Sequence, residues 1–288
     1  MDRVTIGIVG GTGKMGKWFE NYFSDLGHKI LISGRKTSLS PFDLVKQCNI
    51  IILSTPLHAA IKTAEEIGPI MSQEQLLMDF CSLKEDIVES MMKSTSANVI
   101  GVHPIFGPST KSIKGQNIVM CYGRGDKWMD QLENEFKAHG AIVTRMDPKT
   151  HDKNMAVVQS LTHFLTISMG SLLQKINMLP KEAICFSTPI FRIKLALIAR
   201  LFAQDISLYT SLINKNNHFP EILEIFKYTI DELESNVLSD DEKGLSYLKN
   251  IQEFIGDFCK EGFDESNDIL NAPFQEGNQT GYFRHRHY

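Results

Sequence analysis

Apolar positions in the first half of the chain come in short runs separated by stretches of helical spacing. VTIGIVG (4–10), KILIS (29–33), NIIILSTP (49–56), LLMDFCS (76–82), VIGV (99–102), NIVMCY (117–122) and AIVTRM (141–146) each read as a strand. Met15, Trp18, Phe19, Tyr22, Phe23 and Leu26 fall on one helical stripe, and Gly27 is placed to end it. Segments 57–68, 84–93 and 127–138 are helical by the same spacing. Strands alternating with helices imply right-handed crossovers and a doubly wound, mostly parallel α/β sheet.

After about residue 150 the period changes. Long apolar-periodic segments at about 151–175, 190–213, 219–235 and 241–262 predict an all-α half with no strands. The chain therefore divides into an α/β domain (1–150), a helical domain (151–263) and a polar C-terminal tail (264–288). The stripe of Ile190, Phe191, Ile193, Leu197 and Leu201 is too broad for one small bundle to bury, which predicts packing against a second copy, a homodimer. The closing Arg-His-Arg-His-Tyr reads as a loose terminus rather than a metal tract.

Charge narrows the classes. Thirty basic and 34 acidic residues leave a formal net charge of −4, with no footprint for nucleic acid or an anionic membrane. Cys48, Cys81, Cys121, Cys185 and Cys259 are scattered without a C-x-x-C, so neither a disulfide framework nor a zinc site is indicated. The N-terminus has no secretory pattern, and no apolar stretch reaches the roughly 18–20 residues of a membrane span. The expected setting is cytoplasmic and reducing.

Gly11-Thr12-Gly13-Lys14-Met15-Gly16 matches G-x-G-x-x-G between a strand and an amphipathic helix, the context that gives this pattern meaning. Gly11 is expected to permit the tight turn, Gly13 the approach of a pyrophosphate, and Gly16 close packing of helix on strand. The helix N-terminus, with its unpaired N–H groups, would hold the phosphates of a dinucleotide. Ligands in such sheets lie beyond the carboxyl ends of the strands. Ser54-Thr55-Pro56, Ser82 and His103 all end strands there, so His103 stands where a nicotinamide ring and a substrate would meet. Read alone, a histidine in this setting is more often a core or turn histidine with its hydrogen bonds satisfied.

The cofactor's second phosphate depends on residues 28–38. A strand that binds NAD usually ends in Asp or Glu, which holds the ribose hydroxyls. This one ends at Ser33, followed by Gly34, Arg35 and Lys36, with nothing acidic before Asp43. That set favours the 2′-phosphate of NADP over NAD.

In the helical half, Arg200 stands among Leu197, Ile198, Leu201 and Phe202. A buried guanidinium needs a partner: an inter-helix carboxylate, or a ligand carboxylate held bidentately. Arg192 shares a broad face with it, whereas Tyr209 falls on the opposite side of a straight helix. His151 and Asp152 open the first long helix, where Asp caps or complements the dipole. Gln159 and His163 are i, i+4 on one face of an otherwise apolar segment.

Taken in order, GGTGKMGKWF, SLKE, HPIFGPST, HDKNMAVVQSLTHF and STPIFR…ARLFAQD…LY resemble the prephenate dehydrogenase family of tyrosine biosynthesis. The likeness is greatest to the archaeal enzymes and to the dehydrogenase part of the enteric chorismate mutase–prephenate dehydrogenase, and runs from about residue 4 to 262. It implies that His103 is the catalytic histidine, supported by Ser82. It further implies that Arg200 grips a substrate carboxylate, helped by Arg192, and that His163 lines the pocket with Gln159 and Tyr209, completed across a helical dimer. The implied reaction is oxidative decarboxylation of prephenate to 4-hydroxyphenylpyruvate with hydride transfer to a nicotinamide cofactor and no metal. Arogenate is the alternative substrate. The family contains NAD and NADP users, so the resemblance leaves NAD open. Neither a mutase segment before residue 1 nor a complete regulatory domain after 262 is expected. Two other classes stay in view: a reductase of the β-hydroxyacid dehydrogenase or imine reductase type, which would use a helical lysine, and a non-catalytic nucleotide sensor.

Overall fold

The computed structural model describes residues 2–238 and 240–271. Seven strands form one sheet: β1 (Thr5–Val9), β2 (Lys29–Ser33), β3 (Ile50–Leu53), β4 (Leu76–Asp79), β5 (Asn98–Pro104), β6 (Asn117–Arg124) and β7 (Ile142–Met146). Their order is β2-β1-β3-β4-β5-β6-β7, parallel except where β6 runs antiparallel to β5. The crossover helices are α1 (Lys14–Asp25), α2 (Pro41–Gln47), α3 (Leu57–Ile67), α4 (Glu85–Ser94) and α5 (Asp126–Ala138).

Helices on both faces explain why the central strands are apolar throughout. Along β3, Ile51 and Leu53 join a core with Leu44, Leu77, Ile87 and Val99, while Ile50 and Ile52 join another with Phe19, Phe23, Met78 and Phe136. Helix α2 has no counterpart among the elements expected from spacing. It is only seven residues long, too short to show a period, and is nucleated by a Ser40–Asp43 capping box followed by Pro41.

The second half is helical: α6 (Pro148–Met155), a π-helical turn (Ala156–Leu161), α7 (Thr162–Lys175), α8 (Pro180–Ala183), α9 (Pro189–Phe202), α10 (Ile206–Asn214), α11 (Phe219–Val237), α12 (Asp241–Ile255) and α13 (Phe258–Asn271). Three expectations change here. The run expected over 190–213 is two helices with a break between Phe202 and Ile206. The stretch from 264 is helical as far as Asn271, with Phe258, Phe263 and Ile269 of that helix exposed; the rest of the tail, with its Arg-His-Arg-His-Tyr, lies outside the described residues. Finally, Pro148–Lys175 is 28 residues long and apolar enough, by length and composition, to cross a bilayer. No uninterrupted apolar run betrays this, because Gln159, Ser160, Thr162 and His163 interrupt it.

The chain forms two compact units. One joins the sheet domain, continued to His163, with Ser207–Pro220; the other comprises Phe164–Ile206 and the chain from Glu221. The second has a small core of Leu173, Ala183, Leu195 and Ile198. Gly170 lets α7 approach α9, since a Cβ there would stand 3.1 Å from the Phe202 ring. Leu245, Leu248, Phe254 and Phe258 of α12 and α13 are exposed.

Candidate active site

The glycine turn follows β1 directly. Gly10 carries the left-handed conformation (φ +82°), and a Cβ there would lie 2.4 Å from the Ser54 carbonyl oxygen. The tight turn is thus the work of Gly10, not of Gly11 as expected. Gly11 is required for a different reason: its Cβ would strike the Ile32 side chain at 2.5 Å. Gly16 plays the expected part, because a Cβ would approach the Gly10 oxygen to 2.4 Å. Gly13 is the extended N-cap of α1, without a side-chain capping bond and with no acid in the first turn. The first amides of α1, from Lys14, Met15 and Gly16, are therefore left for an anion.

Beside this turn opens a cleft of about 580 Å³ at the carboxyl ends of β1, β2 and β3. It brings together Thr12, Gly13, Ser33, Arg35, Ser54, Thr55 and Pro56, all expected, and adds Thr37, Ser38 and Ser40. Lys36 is exposed but does not line it. Ser33 holds the turn from below, its carbonyl accepting from Gly10 N–H at 2.8 Å. Thr37 staples the next turn, its hydroxyl accepting from Gly34 N–H at 2.8 Å and donating to Gly34 O at 3.0 Å. Asp43, the first acid downstream, is occupied in the α2 cap, where hydrogen bonds from Ser40 hold its pKa low. A cradle that only glycine fits, free amides and no acid at the end of β2 suit a nicotinamide dinucleotide. On binding, that group supplies a hydride acceptor.

His103 ends β5 and is 3 % exposed. Its Nδ1 lies 2.9 Å from Nε2 of His151, and its Nε2 lies 3.2 Å from the Gln159 amide nitrogen. The latter is placed by the π turn, a widening that recurs at functional sites. His151 Nδ1 lies 2.7 Å from Asp152 Oδ1. Asp152 was expected to serve its own helix, but Asp147 caps α6, accepting from Thr150 N–H at 2.9 Å. Asp152 instead caps α4, accepting from Lys84 N–H (2.8 Å) and Glu85 N–H (2.9 Å). Burial, with the buried Lys84 cation adding to it, lowers the pKa of His103 well below the usual histidine value. Burial thus favours the neutral ring.

Below the site Lys84, wholly buried, pairs with the equally buried Asp79 and donates to Val102 O at 3.0 Å. Gly101 makes room for its stem, since a Cβ would meet Lys84 Cδ at 3.0 Å. Ser82 is half-buried in the loop between β4 and α4, and the hydrogen bonds found for the His103 ring are those to His151 and Gln159. His163 and Tyr209 do meet, edge to face with ring centres 4.8 Å apart. Tyr209 lies on α10, beyond the break, and so does not share one straight helix with Arg200. Arg200, expected as a buried cation, is exposed in the last turn of α9; Arg192 is half-buried, and neither is without an interaction.

A family model described as "Prephenate dehydrogenase, nucleotide-binding domain" matches residues 32–145, and one described as "Prephenate dehydrogenase, dimerization domain" matches 147–252. The chain belongs to the prephenate dehydrogenase family. The T-protein of Haemophilus influenzae is 30% identical over 264 residues, covering 91% of this chain and 70% of the relative. The probable arogenate/prephenate dehydrogenase of Methanocaldococcus jannaschii is 30% identical over 290 residues, covering 94% and 65%. Among solved structures, prephenate dehydrogenase from Aquifex aeolicus in complex with hydroxyphenyl propionate and NAD+ superposes with a TM-score of 0.71 at 19% identity, covering 88% of this chain and 97% of that one. The fold is shared, and the alternative classes of reductase and sensor are not favoured.

Spacing alone missed four members of this dehydrogenase site: Gly10, His151, Asp152 and Lys84. A third glycine in Gly10-Gly11-Thr12-Gly13 and two charged residues in SLKE and HDKN were the available signals.

Proposed function

We propose that the protein oxidises prephenate to 4-hydroxyphenylpyruvate and CO₂ with NADP as hydride acceptor. The observation that carries this reading is a buried His103 at the carboxyl end of β5, its pKa lowered by that burial, in the same compact unit as the candidate dinucleotide cleft. A base that must take a proton at pH 7 has to be neutral first. His103 Nε2 takes the proton of the ring hydroxyl as hydride leaves the same carbon. The C–CO₂⁻ bond then breaks, its electron pair completes the aromatic ring, and His103 returns the proton to the ring oxygen, giving 4-hydroxyphenylpyruvate and CO₂.

Ser82 and Gln159 are assigned to the hydroxyl, and His163 with Tyr209 to the wall of the substrate pocket. The resemblance assigns Arg200, aided by Arg192, to a substrate carboxylate. Ser33, Arg35 and Thr37 are assigned to the 2′-phosphate, on the ground that no acid ends β2. The exposed apolar residues of α12 and α13 support a homodimer through the helical half. A reducing, cytoplasmic setting suits five free thiols.

The test pairs prephenate and arogenate with NADP and NAD and follows the absorbance of the reduced cofactor. Prephenate with NADP should be fastest. Faster turnover of arogenate would reassign the substrate, and no reduction with either would overturn the reading.

A further inference from the structure

The hydrogen bonds behind His103 determine where its protons sit. Asp152 is 4 % exposed and receives two main-chain N–H groups, from Lys84 on Oδ1 and Glu85 on Oδ2. An amide N–H can only donate, so both oxygens act as acceptors. His151, wholly buried, must then donate from Nδ1 to Oδ1. A neutral imidazole with its hydrogen on Nδ1 has only a lone pair on Nε2. His103 must therefore donate from Nδ1 to His151 Nε2, which leaves its own lone pair on Nε2. The Gln159 amide, 3.2 Å away, can donate its NH₂ to that lone pair.

We infer that His151 and Asp152 are positioning residues that hold His103 in the one tautomer able to take the substrate's proton. Resting on the dehydrogenase reading, the inference adds a direction to it: two amides at the start of α4 set the reactive nitrogen from three hydrogen bonds away. When His103 Nε2 takes up a proton, its Nδ1–H still donates to His151, and the carboxylate of Asp152 compensates the new positive charge. In Asp152→Asn, an NH₂ in the place of Oδ1 gives up the Lys84 N–H bond and donates to His151 Nδ1, while the amide oxygen keeps Glu85 N–H. Each hydrogen in the chain then reverses, and His103 carries its hydrogen on Nε2.

The experiment is ¹⁵N NMR of histidine-labelled free protein, with the His103 signals identified from His103→Asn. The wild type should show a protonated Nδ1 and a bare Nε2 on His103, and Asp152→Asn the reverse. Asp152→Asn should also lose roughly 10³–10⁴-fold in kcat while the Kd for the cofactor stays within about twofold, since a wrong tautomer costs about that much in a serine-protease triad. Should Asp152→Asn fail to fold, His151 decides. Gln at 151 can still accept from His103 Nδ1–H, so His151→Gln should retain at least about tenfold more kcat than His151→Leu, within the range of general-base effects. A wild-type His103 with its hydrogen on Nε2, or equal rates for His151→Gln and His151→Leu, overturns the inference. The NMR measurement needs no substrate, so its outcome is independent of whether prephenate is the substrate.

Discussion

Replacing Lys84 with Met keeps the volume of the side chain and removes a cation from the protein interior. Asp79 would remain fully buried with one hydrogen bond, from Cys81 N–H at 2.8 Å, and its Oδ1 already lacks a partner. Burial pushes the Asp79 pKa up, and Lys84 is the main opposing influence. Without the cation, the chain folds only with Asp79 protonated. Taking up that proton at pH 7, from an unfolded-chain pKa of about 3.9, costs about 1.4 kcal/mol for each of roughly three pH units, or about 4 kcal/mol. This agrees with the roughly 3–5 kcal/mol expected for breaking a buried ion pair. At pH 5 the same reasoning leaves about 1.5 kcal/mol. The sign follows from the raised folded pKa: stability is lost as pH rises above the unfolded value. The orphaned Val102 carbonyl adds about 1 kcal/mol that does not vary with pH. Urea unfolding at pH 5, 6 and 7 and fixed protein concentration should show the Lys84→Met penalty growing with pH, and Lys84→Met/Asp79→Asn should abolish the slope. A pH-independent penalty, or one below about 1 kcal/mol at pH 7, refutes the reasoning.

Three further outcomes follow from the same geometry. Gly16→Ala puts a Cβ 2.4 Å from the Gly10 oxygen and should weaken cofactor binding by calorimetry at least about tenfold, an effect of about 1.4 kcal/mol; unchanged affinity would mean the turn gives way freely. Arg35→Ala should remove most of a preference for NADP, about tenfold or more for a charge-assisted contact, while barely changing kcat/KM with NAD; an equal loss with both cofactors contradicts the 2′-phosphate assignment. Because burial lowers the pKa of His103, the acid limb of kcat/KM against pH should lie below pH 6.5, with activity lost as pH falls through it; a limb at or above that value contradicts a buried neutral base.

The local parts of the fold were legible in the sequence because period and turn chemistry are local. The strands expected around β1 to β7, the glycine turn and the strand-ending positions of Ser54, Ser82 and His103 all follow from neighbours in the chain. What spacing could not show depends on contacts across the fold. Asp152 looked like a cap for its own helix because a sequence shows only which helix a residue opens, and its partners lie 67 and 68 positions away. The π turn adds no residue type that marks it, so Gln159 and His163 looked like neighbours on one face; instead one meets His103 and the other Tyr209. The burial of Lys84 depends on a missing Cβ at Gly101, across the sheet from its own loop. Arg200 looked buried among apolar neighbours because helical spacing cannot tell a core face from one left exposed.

The central claim is that His103 is the base of an NADP-linked dehydrogenase, and one comparison tests it most directly. Wild type and His103→Asn are mixed with saturating prephenate and NADP in a single-turnover experiment, with NADP affinity measured in parallel. The account predicts reduced cofactor from the wild type, a rate about 10²–10⁴-fold lower from the variant, and matching NADP affinities. Equal single-turnover rates would contradict it.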